Sequence, residues 1–161
     1  MIVEAATPEL VRVAAENMRQ RDRDEFMPLC RFHQHAELVD NLVARFGEHK
    51  DVVVAGDGHA PIAVGGMIRH RPNVATLLMF ATDDLPRIGA DLTRFIRQRL
   101  FPTYRAAGTH RIECVSIAGY DEVHRWLRVL GLKEEADLPG FGRDGERYVQ
   151  FAWVADKCLP G

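Results

Sequence analysis

Apolar residues fill positions 74–81 almost without a break (Val-Ala-Thr-Leu-Leu-Met-Phe-Ala), and the period of the chain then changes. A strand with one wet face alternates apolar with polar residues. This stretch does not alternate, so the sequence predicts a central strand covered on both faces. From Ile88 onward the apolar positions follow a helical repeat: Ile88, Leu92, Phe95, Ile96 and Leu100 lie on one side, Arg87, Asp91, Arg94 and Gln98 on the other. Pro102 is expected to stop that helix. Between strand and helix runs the acidic turn Thr82-Asp83-Asp84-Leu85-Pro86, in which Thr82, Asp83 or Asp84 can cap the helix and Pro86 suits its first turn. Such a junction either merely connects two elements or offers backbone N–H groups and the positive end of a helix dipole to a phosphate.

The same two periods order the rest of the chain. Residues 2–5 read as a short strand, and Thr7-Pro8-Glu9-Leu10 starts a helix that ends near Asn17. The run Met18-Arg19-Gln20-Arg21-Asp22-Arg23-Asp24-Glu25-Phe26 reads as a solvated turn ahead of a short helix reaching Cys30. A further helix covers residues 35–46, striped by Leu38, Leu42, Val43 and Phe46 and ended by Gly47. Residues 52–55 and 62–68 are strands joined by the turn Gly56-Asp57-Gly58-His59, and Gly65-Gly66 marks a bulge or a close backbone approach. Past the main helix, residues 111–117 form a strand that should lie parallel to another strand of the same sheet, because a crossover helix precedes it. Residues 120–130 form the most regular helix, with Val123, Trp126, Leu127 and Leu130 as its core face and Gly131 as its stop. Residues 132–136 and 146–154 are closing strands. The fold class is therefore α/β, a single domain with a mixed sheet of about six to seven strands flanked by helices on both faces.

Composition narrows the function classes. The 161 residues are 47% apolar and 27% charged with a formal net charge of −2, which argues against disorder, a nucleic-acid partner or a membrane surface. Cys30, Cys114 and Cys158 are odd in number, widely spaced and without a Cys-x-x-Cys pair, so reduced thiols are expected and no zinc site. His33-x-His35 by itself is too little for a metal, and none is expected. Met1-Ile2-Val3-Glu4 lacks the basic start and apolar core of a signal peptide, and no stretch approaches 18 apolar residues. The expected location is the cytosol in which the chain is made.

The order of elements resembles that of the GNAT N-acetyltransferases over the full length. Within it the sequence is similar to GNAT-like proteins of short-tailed phages related to an internal virion protein. The residues that carry this are Met18-Arg19-x-x-Asp22-x-x-Glu25-Phe26, Gly56-Asp57-Gly58 with Pro61, Phe80-Ala81-Thr82-Asp83-x-Leu85-Pro86, Phe95-Ile96-Arg97, Arg125-Trp126-Leu127-x-x-Leu130-Gly131 and the closing residues 145–151. The resemblance implies acetyl-CoA between the central strand and the strand at Arg111, its pyrophosphate on the helix N-terminus, with Phe80, Ala81, Thr82, Arg87, Ile88, Gly89 and Ala90 as cofactor-binding residues. It implies an amine acceptor, either a small molecule or a protein, in a host-cell cytoplasm or on a virion.

Two positions depart from the family pattern. The phosphate motif Arg/Gln-x-x-Gly-x-Gly/Ala is met by Asp84, Arg87 and Gly89, or in another frame by Arg87 and Ala90, and Asp83 and Asp84 would repel a phosphate. The Tyr that protonates the departing thiolate is replaced by Leu127, four residues before Gly131-Leu132. Tyr120 and His124, on the same side of that helix, can supply the proton, and Glu25 or Asp22 can meet the acceptor amine. The alternative is a binding module for a phage or host protein that keeps the fold as a scaffold.

Overall fold

The computed structural model describes residues 1–159. Thr7 Oγ1 accepts from the Leu10 N–H at 3.2 Å and Pro8 takes the first turn, so helix α1 (Pro8–Glu16) starts shortly after strand β1 (Ile2–Ala5). Helix α2 (Gln20–Phe26) follows, then α3 (His35–Phe46), where Glu37 Oε2 accepts from the Gln34 N–H at 3.0 Å. Strands β2 (Val52–Gly56), β3 (Pro61–Arg71) and β4 (Val74–Ala81) come next in succession. A 3-10 turn (Leu85–Arg87) leads into α4 (Gly89–Phe95), a π turn (Ile96–Leu100) and α5 (Phe101–Ala106). The chain closes with β5 (Arg111–Ile117), α6 (Asp121–Val129), β6 (Lys133–Leu138) and β7 (Tyr148–Val154). The seven strands form one mixed sheet in the order β1-β2-β3-β4-β5-β7-β6, so the run at 74–81 is central, as its lack of alternation predicts.

Contacts divide the chain into two compact units, residues 1–67 with 78–92 and residues 68–77 with 93 onward. In the first, β1 and β3 pair antiparallel with β2, and Val11, Ala14 and Ala15 of α1 are buried, as are Leu38, Leu42 and Phe46 of α3. Gly66 is the close approach anticipated above: a Cβ there would lie 2.2 Å from the Asp51 carbonyl oxygen and 2.9 Å from Val52 Cα. In the second unit Val74, Ala75 and Thr76 pair in parallel with Arg111, Ile112 and Glu113, which is the expected crossover pairing. There β5 and β7 run antiparallel over seven residue pairs, and Arg111 joins Glu113 and Glu135 in one ion-pair cluster.

Three expectations change. The charged run at 18–26 is not a solvated turn; most of it is α2, with Asp22 only 3% exposed. Pro102 does not stop the main helix. The Phe101 N–H reaches back to Ile96 O over the wider π turn, and this unwinding moves the backbone away from the proline ring, so α5 continues to Ala106. In α6 the buried face is His124, Leu127 and Leu130, with Trp126 and Val123 half-exposed. The indole can sit at the margin because its Nε1–H donates to Thr93 Oγ1 at 2.9 Å. Trp126→Ala should therefore cost about 1–2 kcal/mol rather than the 3–5 of a fully buried ring. Thermal melting would show a drop of roughly 2–8 °C, and a larger one would place Trp126 in the core.

Candidate active site

The end of β4 is held from one side by α2. Arg19 N donates to Ala81 O at 2.9 Å, Met18 bridges to Thr82, and the Ala81 N–H donates to Asp22 Oδ2 at 2.7 Å. Arg19 completes the carboxylate's surroundings with Nη2 on Oδ1 at 2.7 Å and Nε on Oδ2 at 3.2 Å. Four residues along, Phe26 meets Phe80 edge to face with centroids 6.0 Å apart. Glu25 lies on the same side of α2 and is half-buried. The two carboxylates that the sequence offers for an acceptor amine thus have different surroundings. Asp22 is buried and bonded within the protein, whereas Glu25 is half-buried.

The strand end itself presents fewer donors than the resemblance implies. Thr82 N donates to Ile62 O at 2.8 Å and Ala81 N to Asp22, while strand alternation turns the Phe80 N–H to the same side as that of Thr82, toward β3. In the 3-10 turn, Arg87 N is bonded to Asp84 O at 2.9 Å and Ile88 N to Leu85 O at 3.1 Å. The first helical bond of α4 runs from Leu92 N to Ile88 O, which sets the start of the helix at residues 89–91. A Cβ built on Gly89 meets nothing within 4 Å, which leaves room for a ligand at this end.

Charge at the turn is largely balanced within the protein. Asp83 and Asp84 are exposed, but Arg87 forms an ion pair with Asp57 of the β2–β3 turn and lies 3.7 Å from Asp84 Oδ2. The His59 N–H, at 2.9 Å from Oδ1, is the chief cause that holds the Asp57 carboxyl below its usual range; the Ala60 N–H and the Arg87 charge act in the same direction. The sequence motif Gly56-Asp57-Gly58 contained this residue without revealing its partner across 30 positions.

In the second unit, Tyr120 caps the start of α6 and is 6% exposed. His124 is buried rather than a surface residue: its Nε2 lies 3.1 Å from Ile117 O and its ring is 5.0 Å from that of Phe151. Because a carbonyl only accepts, Nε2 is the ring nitrogen that donates to Ile117 O in this contact. Leu127 is buried on the same helix. Among the described residues no group of three or more His, Cys, Asp or Glu could hold a metal, and no helix is long and apolar enough to cross a membrane.

No protein-family model matches the sequence, and no curated protein is significantly similar to it. Solved structures are similar throughout. The ribosomal-protein-S5-alanine acetyltransferase of Vibrio fischeri matches with a TM-score of 0.66 at 16% identity, over 98% of this chain and 94% of its own. An N-acetyltransferase of Staphylococcus aureus Mu50 gives 0.70 at 13% identity, over 95% and 97%. A GNAT-family acetyltransferase of Bacillus anthracis gives 0.68 at 9%, over 94% and 93%. Identities this low establish the fold, and the fold is that of the GNAT N-acetyltransferases.

Proposed function

We propose that the protein is a GNAT-type N-acetyltransferase that moves the acetyl group of acetyl-CoA to an amine. The observation that carries this is the fold, shared over nearly the whole chain with acetyltransferases, in which the central strand runs into a helix at Gly89, where an added Cβ would meet nothing within 4 Å. Bound acetyl-CoA supplies the acyl group already activated as a thioester. The strand-to-helix junction at residues 87–90 would hold its pyrophosphate, aided by the helix dipole and by the Arg87 side chain. Glu25 would orient the acceptor amine and take its proton directly or through water. Tyr120 or His124 is the proposed donor to the departing thiolate, Tyr120 being tested first because one ring nitrogen of His124 lies against Ile117 O. The motifs shared with short-tailed-phage proteins support an origin in such a phage and action in a host cell. The Vibrio fischeri neighbour is an acetyltransferase of a ribosomal-protein alanine, which makes peptides that offer an alanine amine the first acceptors to try.

A second reading is favoured by one observation: four of the seven cofactor candidates, Ala81, Thr82, Arg87 and Ile88, already spend their N–H groups inside the protein. A chain with those donors closed could serve as a scaffold for a phage or host partner. Calorimetry with acetyl-CoA, followed by CoA release against a panel of amines, separates the two. Asp84→Asn removes a carboxylate from the phosphate turn and should tighten acetyl-CoA roughly two- to fivefold, and Arg87→Ala should weaken it by a similar factor. Opposite signs would move the phosphates elsewhere. No binding heat together with no CoA release would leave the scaffold.

A further inference from the structure

We infer that Asp22 is a positioning residue for the acceptor side of the reaction, fixing the direction of Glu25 through the buried bond between its carboxylate and the Ala81 N–H. This rests on the acetyltransferase reading. At 3% exposure, with Arg19 on both oxygens and the Ala81 N–H on Oδ2 at 2.7 Å, the Asp22 carboxylate is not placed to meet an amine. What it does is tie α2 to the last residue of β4. A second tie lies one turn further on, where Phe26 packs against Phe80. Two attachments four residues apart fix a helix both along its axis and about it, because residues at that spacing stack on one side. Glu25 stands about 60° round the helix from Asp22, so the same attachments fix the direction in which its side chain leaves the helix.

The chemistry of the tie argues for positioning beyond stability. A buried ion pair is seldom better for stability than apolar packing of the same volume, whereas a carboxylate bonded to one particular backbone N–H specifies which residue of the strand the helix sits beside. Arg19 supports this alignment twice, with its guanidinium on Asp22 and its own N–H on Ala81 O. Arg23 Nε donates to Met18 O at 2.9 Å and braces the segment that leads into α2.

The test uses the full chain, acetyl-CoA and the amine that gives the fastest CoA release. Asp22→Asn should lower kcat/KM for that amine by roughly 10²-fold, the usual cost of misplacing a reacting group by about 1 Å, while calorimetry shows acetyl-CoA affinity within roughly threefold of the parent. In a Glu25→Gln background the same substitution should add little, because the group it positions is already gone. If Asp22→Asn does not fold, Asp22→Glu keeps the charge for Arg19 and moves the carboxylate by one methylene; a smaller loss of the same kind, again absent without Glu25, is expected. Additive losses in the double variant, or a loss confined to acetyl-CoA affinity, would reduce Asp22 to a structural role and overturn the inference while leaving the acetyltransferase reading intact. If the parent protein releases no CoA with any amine, that reading falls and the inference falls with it.

Discussion

Replacing Phe80 by Ala should destabilise the protein by about 3–5 kcal/mol, the cost of a large cavity at a fully buried aromatic position. The ring is 0% exposed and is among the largest buried side chains, and its edge-to-face contact with Phe26 is the apolar half of the attachment between β4 and α2. For a chain of this length the expected drop in melting temperature is roughly 6–20 °C. Loss of the ring also leaves the tie between α2 and the strand to the polar contacts of Asp22 and Arg19 beside the Met18–Thr82 bridge, so amide exchange at Ala81 should quicken in step. A melting point within about 2 °C of the parent would mean that the cavity collapses at no cost, and the contact with Phe26 would then lose its place in the positioning argument.

The parts of the fold that were legible are those decided locally. Thr7-Pro8 starts α1 because both residues act on the first turn, and Gly131 ends α6 in the left-handed conformation at φ 94°. Residues 74–81 announced a central strand because a strand covered on both faces cannot alternate. The misread parts are decided at a distance. Nothing between positions 18 and 26 shows that the N–H of a residue 59 positions later will take up one of its carboxylates, and without that bond a charged run is best left in water. The helical period placed Trp126 on the core face and His124 on the same side as Leu127. The structure buries His124 and leaves Trp126 half-exposed, each polar nitrogen with a partner, Ile117 O for the imidazole and Thr93 for the indole.

The candidate site was legible as a place and less so as a set of contacts. The strand-to-helix junction at residues 82–89 stands where the change of period puts it, and its acidic character is plain from Asp83 and Asp84. Which N–H groups remain for a phosphate depends on pairings that sequence does not carry: Thr82 with Ile62, Ala81 with Asp22, and the 3-10 bonds of Arg87 and Ile88. The ion pair of Arg87 with Asp57 is equally invisible in the motif, although both residues belong to stretches on or beside the family resemblance. Removing the acid of that pair by Asp57→Asn should free Arg87 and act on acetyl-CoA in the same direction as Asp84→Asn.

Tyr120→Phe should lower kcat by at most about 10²-fold, the usual contribution of one general acid, with kcat/KM falling in parallel and acetyl-CoA affinity unchanged. The bound on the effect comes from the leaving group: a thiol with a pKa of roughly 8–9, by analogy with Cys, departs as a thiolate with only modest help near neutral pH, so positioning supplies most of the rate. The substitution removes one oxygen and keeps the buried ring, so stability should change by no more than about 1–2 kcal/mol, a single hydrogen bond. His124→Ala is the contrast. It opens a cavity beside Phe151 and removes one of the donors on the Ile117 carbonyl, which keeps the Tyr120 N–H at 3.3 Å, so its effect should be a loss of about 2–3 kcal/mol seen in melting, with kcat preserved at temperatures where the variant is folded. If the two results are exchanged, with Tyr120→Phe silent in kcat and His124→Ala slow at full folding, the proton comes from the imidazole after all. Either the bond to Ile117 O then opens during turnover, or the proton leaves from Nδ1 of the ring while Nε2 stays on the carbonyl.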